Sequence, residues 1–334
     1  MHDEPTSLIK TQLSKALAAH WGIDARSLDY APVGFGSYHW LATESDGRRW
    51  FVTANDLANL GTFEGPPDAA FAWLDGAMQT NAQVFEAGLE FALAPVRTRD
   101  GDVQVRVSGE WCVSVFPFVE GAESGPWTWT SSPARNVAAG LIGRLHAIAP
   151  MPRIRRWAHA LPHRGSLQSA LNDLAQPWTA GPYAESARLL LSDVQPEVRD
   201  LLAAYDRLAN AVAASSESWV ITHGEPHSAN FITRPDGEML LIDWETVLLG
   251  PRERDLWIVT GDDPAALASY EREAGAYRPD PRAMELFRVR WLALDMAIYV
   301  RGFRATHEDT EDARMSWDGL QECVREMRER PAVV

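Results

Sequence analysis

Two carboxylates and one amide oxygen carry the chemistry of this chain: Glu225, Asn230 and Asp243, within WVITHGEPHSANFITRPDGEMLLIDWETVLLGPRERD (219–255). Residues 219–221 form a short apolar run, and a polar turn follows. Residues 230–233 read as a strand, Arg234-Pro235-Asp236-Gly237 as a turn, and 239–242 as an apolar strand ending on Asp243. A hairpin brings its ends together, so Asn230 and Asp243 are expected side by side, with Glu225 reaching the same space from the preceding loop. Hard oxygen donors of this kind suit Mg2+. A carboxylate beside such an ion can orient a hydroxyl for phosphoryl transfer.

Asp243 ends a buried apolar strand, an expensive place for a carboxylate that binds nothing. Glu245, two residues on, is a candidate second metal contact. A rival reading takes His223, Glu225 and His227 as alternate residues on one strand face. With Asp243 they would ligate Zn2+ or Fe2+ in a hydrolase or oxygenase. Pro226 argues for a loop rather than an inner strand, and the rival leaves the Asn230 spacing unexplained.

The elements that must position these groups are legible in outline. A helix is expected over 7–20, with strands over 28–33, 38–42 and 49–54 and a glycine-rich tip, Gly34-Phe35-Gly36-Ser37, between the first two. Such a tip is either a tight hairpin or a place where backbone N–H groups approach a triphosphate. A helix over 68–86 is expected next, followed by strands over 92–97, 103–107 and 111–116. Helices are expected over 134–148, over 184–215 with a break around 193–196, and over 264–276, 281–303 and 310–330. Residues 150–182 carry no clear pattern.

The 334 residues allow two lobes with sizeable cores. A formal net charge of -15 argues against a nucleic-acid partner. Cys112 and Cys323 are too few and too unpatterned for a disulfide framework or a zinc site. The N-terminus lacks a signal-peptide core and no run is long enough to span a bilayer, so a soluble cytoplasmic protein is expected, a monomer or weak homodimer. Lysine occurs only as Lys10 and Lys15.

HGEPHSAN (223–230), LIDWE (241–245) and GPRERDL (250–256) together resemble the aminoglycoside phosphotransferase family, which has a protein-kinase-like fold. The resemblance implies an α+β two-lobe architecture: a nucleotide-binding lobe over 1–115, a hinge over 116–121, and a helical lobe with catalytic loop and substrate cleft over 122–334. It implies ATP or GTP as co-substrate, Mg2+ at Asn230 and Asp243 with Glu245 beside them, and Glu225 as the base. His223, His227 and Asp255 become loop braces, and His146 a packing residue. Gly34, Gly36 and Ser37 become the phosphate loop, and Phe116 and Phe118 hold the purine. Acidic residues on C-terminal helices, Glu285 and Asp295 and the cluster 308–312, would face a hydroxylated, cationic small molecule. HWGID (20–24) and IDWETVLLGPRERDL (242–256) place a spectinomycin-like aminocyclitol first among acceptors, with antibiotic resistance as the implied role.

The chain departs from the family pattern twice. The family's usual base is aspartate, and a base displaced by about 1 Å loses roughly 100-fold in rate. Thr53 stands where the third strand normally carries a phosphate-binding lysine, and no side-chain rearrangement of threonine restores that charge. Arg48, Arg49 or an arginine from elsewhere could replace it, or Mg2+ and backbone could suffice. A kinase-fold binding protein with lost or altered nucleotide binding is the remaining alternative.

Overall fold

A computed structural model describes residues 1–8, 10–123, 127–152, 154–213 and 219–329. The amphipathic N-terminal stretch forms α1 (Lys10–Ala16), continued by a π-helical turn to Trp21 that closes on Gly22. β1 (Ala25–Ala31), β2 (Tyr38–Glu44) and β3 (Arg49–Asp56) form an antiparallel meander. The chain returns after α2 (Pro67–Glu86) as β4 (Val105–Arg106) and β5 (Trp111–Pro117), giving the sheet order β1-β2-β3-β5-β4. Strand alternation sorts the two faces. Trp40, Ala42, Val52, Ala54, Val113 and Val115 pack with Leu13 of α1 and Leu17 of the π-helical turn. On the other face Thr53 lies between its register partners His39 and Ser114, and α2 packs Ala70 and Leu74 against Leu57, Leu60 and Cys112.

The larger lobe is mostly helical. It runs β6 (Ala122–Glu123), α3 (Ser132–Ala147), α4 (Arg164–Asn172), α5 (Ala184–Asp193), α6 (Gln195–Ala213) and β7 (Val220–Thr222). Then come β8 (Phe231–Thr233), β9 (Met239–Leu241), β10 (Leu248–Gly250), α7 (Glu253–Val259), α8 (Pro264–Ala274), α9 (Pro281–Arg304) and α10 (Glu311–Glu329). α9 is the central helix, packed by α4, α6, α7 and α10. It begins where it does because Pro281 fits the first helical position and Asp280 accepts the Arg282 N–H at 2.9 Å. α3 and α8 approach closely at Gly143, where a Cβ would stand 2.7 Å from the Tyr270 carbonyl oxygen.

Several contacts join the lobes. Leu241 N–H donates to Phe91 O at 2.7 Å and Leu93 N–H to Leu241 O at 3.0 Å, tying the post-α2 segment to the β8–β9 hairpin. The His163 N–H donates to Glu64 at 2.9 Å, and Arg301 donates to Asn59 at 3.1 Å. Phe35 at the glycine-rich tip meets Tyr299 of α9 edge-on, centroids 6.0 Å apart. Among the described residues no helix is long and apolar enough to cross a membrane.

The structure differs from the sequence reading in local places. Residues 92–97 form no strand. They cross between the lobes with one isolated bridge at Ala92, and their backbone N–H groups go to residues of separate elements, Leu93 to Leu241 of β9 and Val96 to Val115 of β5, so no continuous ladder forms. The strand expected over 103–107 shrinks to two residues. The helical stretch from 184 breaks at Val194, and residues 214, 215 and 330 lie outside the described ones. Asn230 belongs to a 3-10 turn (Ser228–Asn230) rather than to β8. The unpatterned 150–182 contains α4.

Candidate active site

The loop between β7 and β8 is held from below by one carboxylate. Asp255, at the start of α7, accepts the backbone N–H groups of His223 at 2.8 Å and Gly224 at 2.6 Å. It also meets His146 Nε2 at 3.0 Å, and His146 Nδ1 meets the Tyr270 hydroxyl at 2.9 Å. His146, expected as packing, is thus the middle of a chain running from α8 to the loop. The close approach at Gly143 makes it possible. Burial alone would raise the Asp255 pKa, but its hydrogen bond with His146 and the attraction of His146 and Arg254 outweigh that and lower it. Arg254, buried, donates to Thr222 Oγ1 at 2.9 Å and Thr246 O at 2.8 Å, and burial brings its pKa down to about 10. Gly224 has φ +102, and a Cβ there would collide with the Arg254 guanidinium.

His223 is fully used within the protein. Its Nε2 meets Ile242 O at 2.9 Å and its Nδ1 accepts the Glu225 N–H at 3.3 Å. Burial lowers its pKa to about 4, so it stays neutral. That overturns the Zn2+ or Fe2+ reading, because neither ring nitrogen is turned to a common metal point. Among the described residues no three His, Cys, Asp or Glu side chains are grouped to hold a metal.

The hairpin brings its ends together: Ile242 N–H donates to Asn230 O at 3.0 Å. Asn230 is buried, and its Nδ2 donates to Glu225 O at 2.9 Å, which leaves Oδ1 as the acceptor end of the amide. Asp243 has φ 63, the left-handed region that costs a non-glycine residue energy and collects at functional sites. Glu245 follows on a 3-10 turn, 3.5 Å from Thr62 Oγ1. The side chains of Glu225 and Asp243 have no hydrogen-bond or ion-pair partner among the described residues. Burial and repulsion from Asp243 push the Glu225 carboxyl up to about 7. Asp243 is open to solvent on its outer side but crowded by protein, and the loss of hydration pushes it up as well. Burial and both neighbours push Glu245 up strongly. Three such acids titrate as a unit, and carboxylate and amide oxygens are the hard donors that suit Mg2+.

The sheet face toward α2 carries little charge. His39 Nδ1 lies 3.2 Å from Thr53 Oγ1, and burial lowers the His39 pKa to about 3. Arg48 pairs with Asp46 at 3.3 Å. Arg49 stacks on Phe118 with its guanidinium 4.0 Å from the ring centre and pairs with Glu120. Neither stands in for the lysine absent at Thr53. Ser37 donates to Asn55 at 2.6 Å, Gly34 and Gly36 are exposed at the tip, and Phe116 packs against the core of the larger lobe. An arginine that sequence reasoning missed lies deeper. Arg155 sits 3.4 Å from the ring centre of Trp73 on α2 and donates to Glu245 O at 3.2 Å and Val247 O at 3.0 Å. It comes from the unpatterned segment after α3, so only tertiary structure reveals it.

Beside Glu225 opens a cleft walled by Trp257, Phe287, Trp291 and Leu294, with Asp295 and Arg290 on α9. Asp295 has no hydrogen-bond or ion-pair partner among the described residues, and burial and Glu225 push its carboxyl up to about 8. Three of the other acidic candidates are spent elsewhere. Glu285 lies 3.8 Å from Arg288, Asp309 binds Tyr183 at 2.9 Å and Arg314 at 3.0 Å, and Asp312 accepts the Asp3 N–H at 3.0 Å. The cleft aromatics carry no sequence signature, because Trp and Phe on α9 read as ordinary core.

Residues 34–287 match the sequence profile of the phosphotransferase enzyme family. Protein StrN of Streptomyces griseus is 28% identical over 313 residues, 90% of this chain and 87% of its own length. The structure of spectinomycin phosphotransferase APH(9)-Ia in complex with ADP and spectinomycin superposes with a TM-score of 0.74 at 14% identity, over 96% of this chain and 98% of that one. Amicoumacin kinase hAmiN in complex with AMP-PNP and Ca2+ gives 0.60 at 12% identity, over 96% and 94%. These likenesses give the fold as the kinase-like, two-lobe α+β type. The profile match runs from the glycine-rich tip through the braced loop to α9, so the chain belongs to the phosphotransferase enzyme family.

Proposed function

We propose that the enzyme moves the γ-phosphoryl group of ATP or GTP to a hydroxyl of an amine-bearing small molecule, with spectinomycin-like aminocyclitols first among acceptors. The observation that carries this reading is the pair of unpartnered carboxylates, Glu225 and Asp295, in one aromatic-walled cleft, with Asp243 near enough to Glu225 to raise its pKa. Asn230 Oδ1 and Asp243, with Glu245 beside them, would hold Mg2+, which neutralises phosphate charge when bound. Glu225 takes the proton of the acceptor hydroxyl as that oxygen forms its bond to phosphorus. The bond from phosphorus to the bridging oxygen breaks, and its electron pair leaves with the nucleoside diphosphate. A base near 7 is well matched to this transfer at neutral pH. Asp295 and the ring faces of Trp257 and Trp291 would take the substrate ammonium. Residues 1–115 serve as nucleotide lobe and 122–334 as acceptor lobe, hinged at 116–121, with Phe116 and Phe118 at the purine.

The neutral His39–Thr53 pair favours a second reading, a kinase-fold binding protein that no longer uses nucleotide. Phosphoryl transfer from γ-labelled ATP and GTP to spectinomycin and other amino-polyols separates the two. Labelled product from wild type is expected. Asp295→Asn should raise KM for an amine acceptor by about 10–100-fold, the range of one charge-assisted contact, and leave nucleotide affinity unchanged. No labelled product with any acceptor and either nucleotide would support the second reading.

A further inference from the structure

Asn230 is braced within its own loop, where its Nδ2 lies 3.2 Å from His227 Nε2. Asp243 and Glu245 lie on a separate turn, and two arginines hold the backbone of that turn. Arg254 of α7 donates to Thr246 O at 2.8 Å. Arg155, from the segment after α3, donates through Nη2 to Glu245 O at 3.2 Å and to Val247 O at 3.0 Å. Three successive carbonyls are thus fixed by cationic donors, and the two that Arg155 takes lie on either side of Thr246.

Arg155 is itself held from the small lobe. Its guanidinium lies 3.4 Å from the ring centre of Trp73 on α2, a stacking distance. Its Nε and Nη1 are buried and have no hydrogen-bond partner among the described residues. Two carbonyls, one indole face and the attraction of Glu245 therefore stabilise its charge. Burial and repulsion from Arg254 bring its pKa down to about 9, which leaves it charged at neutral pH. A desolvated cation with so few partners is expensive, and Trp73 offsets part of that cost. Thr62, in the loop that leads into α2, reaches the same turn, its Oγ1 3.5 Å from Glu245. The small lobe thus converges on the turn at two points.

Protein kinases tie the corresponding helix to the reacting centre by a lysine–glutamate ion pair that must be formed for transfer. Thr53 and the neutral His39 cannot make one. We propose that Arg155 is a positioning residue that couples α2 to the turn carrying Asp243 and Glu245. Trp73 sets where the guanidinium lies, and the guanidinium sets where the two carboxylates stand. The inference rests on the phosphotransfer reading above for what the turn holds, and on the contacts alone for the coupling.

A double-substitution cycle on Trp73→Leu and Arg155→Met tests it, with two readings that involve no acceptor, since Trp73 also lines the cleft. The first is hydrogen exchange of the amides of 244–247 in metal-free protein. The Val247 N–H donates to Trp244 O at 3.1 Å and so reports on the turn. Exchange should quicken by about tenfold or more in each single variant, as for loss of a hydrogen bond to a charged group. The double variant should go no further than Arg155→Met, because the two residues act as one unit. The second reading is the Mg2+ concentration for half-maximal ATP or GTP binding. It should rise about 10–100-fold in each single variant, the usual effect of losing a group that orients a metal ligand. Trp73→Phe keeps a ring face and should stay within a few-fold of wild type in both readings. Unchanged exchange at 244–247 in Trp73→Leu would overturn the proposal, as would effects of the two substitutions that simply add. Faster exchange with an unchanged Mg2+ requirement would reduce Arg155 to a structural prop and overturn it too. If Arg155→Met does not fold, Arg155→Lys takes its place, since lysine keeps the charge without the planar stack and should lose the same coupling. If wild type binds no nucleotide, the phosphotransfer reading falls, while the exchange cycle still decides whether α2 sets the turn.

Discussion

Glu225 shows how one carboxylate carries both a functional advantage and a stability cost. Its pKa is raised from the ordinary value of 4.5 to about 7, first by burial and then by Asp243. Between those two values the folded state holds a proton that the unfolded chain has released. Stability from this group is therefore full below about pH 4.5 and falls as pH rises through 7. In metal-free buffer, Glu225→Gln should raise the melting temperature at pH 8 and change it little at pH 4. The same substitution removes the proposed proton acceptor and should lower kcat by about 10²–10⁴-fold, the usual contribution of a positioned base, while nucleotide affinity holds. Melting curves at the two pH values and steady-state rates check both halves. A lower melting temperature at pH 8 would contradict the electrostatic account. At this scale the sequence was informative wherever chain neighbours decide the geometry. Glu225, Asn230 and Asp243 sit within one loop and one hairpin, so spacing alone brought them together. His39 against Thr53, and Arg155 against Trp73, meet only through the sheet register and the crossing of distant segments, which no local pattern encodes.

The brace beneath the loop spans α3, α7 and α8. Asp255 is the buried acceptor of two loop N–H groups and of His146, and its pKa is lowered because those hydrogen bonds and charges outweigh its burial. Its stabilisation is present above the unfolded value of 3.8 and is lost as pH falls through the lower folded pKa. Leaving the buried donors of such a hydrogen-bonded network unsatisfied costs about 1–3 kcal/mol or more. Urea titration of Asp255→Asn near neutral pH should show that loss, and one below 1 kcal/mol would mean the loop is held by something else. Gly143→Ala tests the same brace one element away. The new methyl would press on the Tyr270 carbonyl, and overpacking of this kind costs about 1–3 kcal/mol. It should also move His146, so activity should fall with stability. The helices themselves were readable from apolar periodicity and from Pro281 and Asp280 at the start of α9. The segment 92–97 was not, because its apolar residues serve an inter-lobe crossing, and the residue types of a strand and of a buried strap are the same.

At the scale of the whole molecule, a small sheet lobe, its helix α2 and a large helical lobe close around the acids of the loop and hairpin. The lobes are joined by contacts of Phe91 and Leu93 with Leu241, of Glu64 with His163 and of Phe35 with Tyr299. The central claim is that this cleft takes a nucleoside triphosphate through a cation held at Asn230 and Asp243, without a lysine at Thr53. Isothermal titration with ATP and with GTP, each with and without Mg2+, on wild type and Asp243→Ala, tests it most directly. The account predicts Mg2+-dependent binding of at least one nucleotide by wild type and loss of it in Asp243→Ala. No binding of either nucleotide at millimolar concentration, or binding indifferent to Mg2+ and to Asp243, would contradict it.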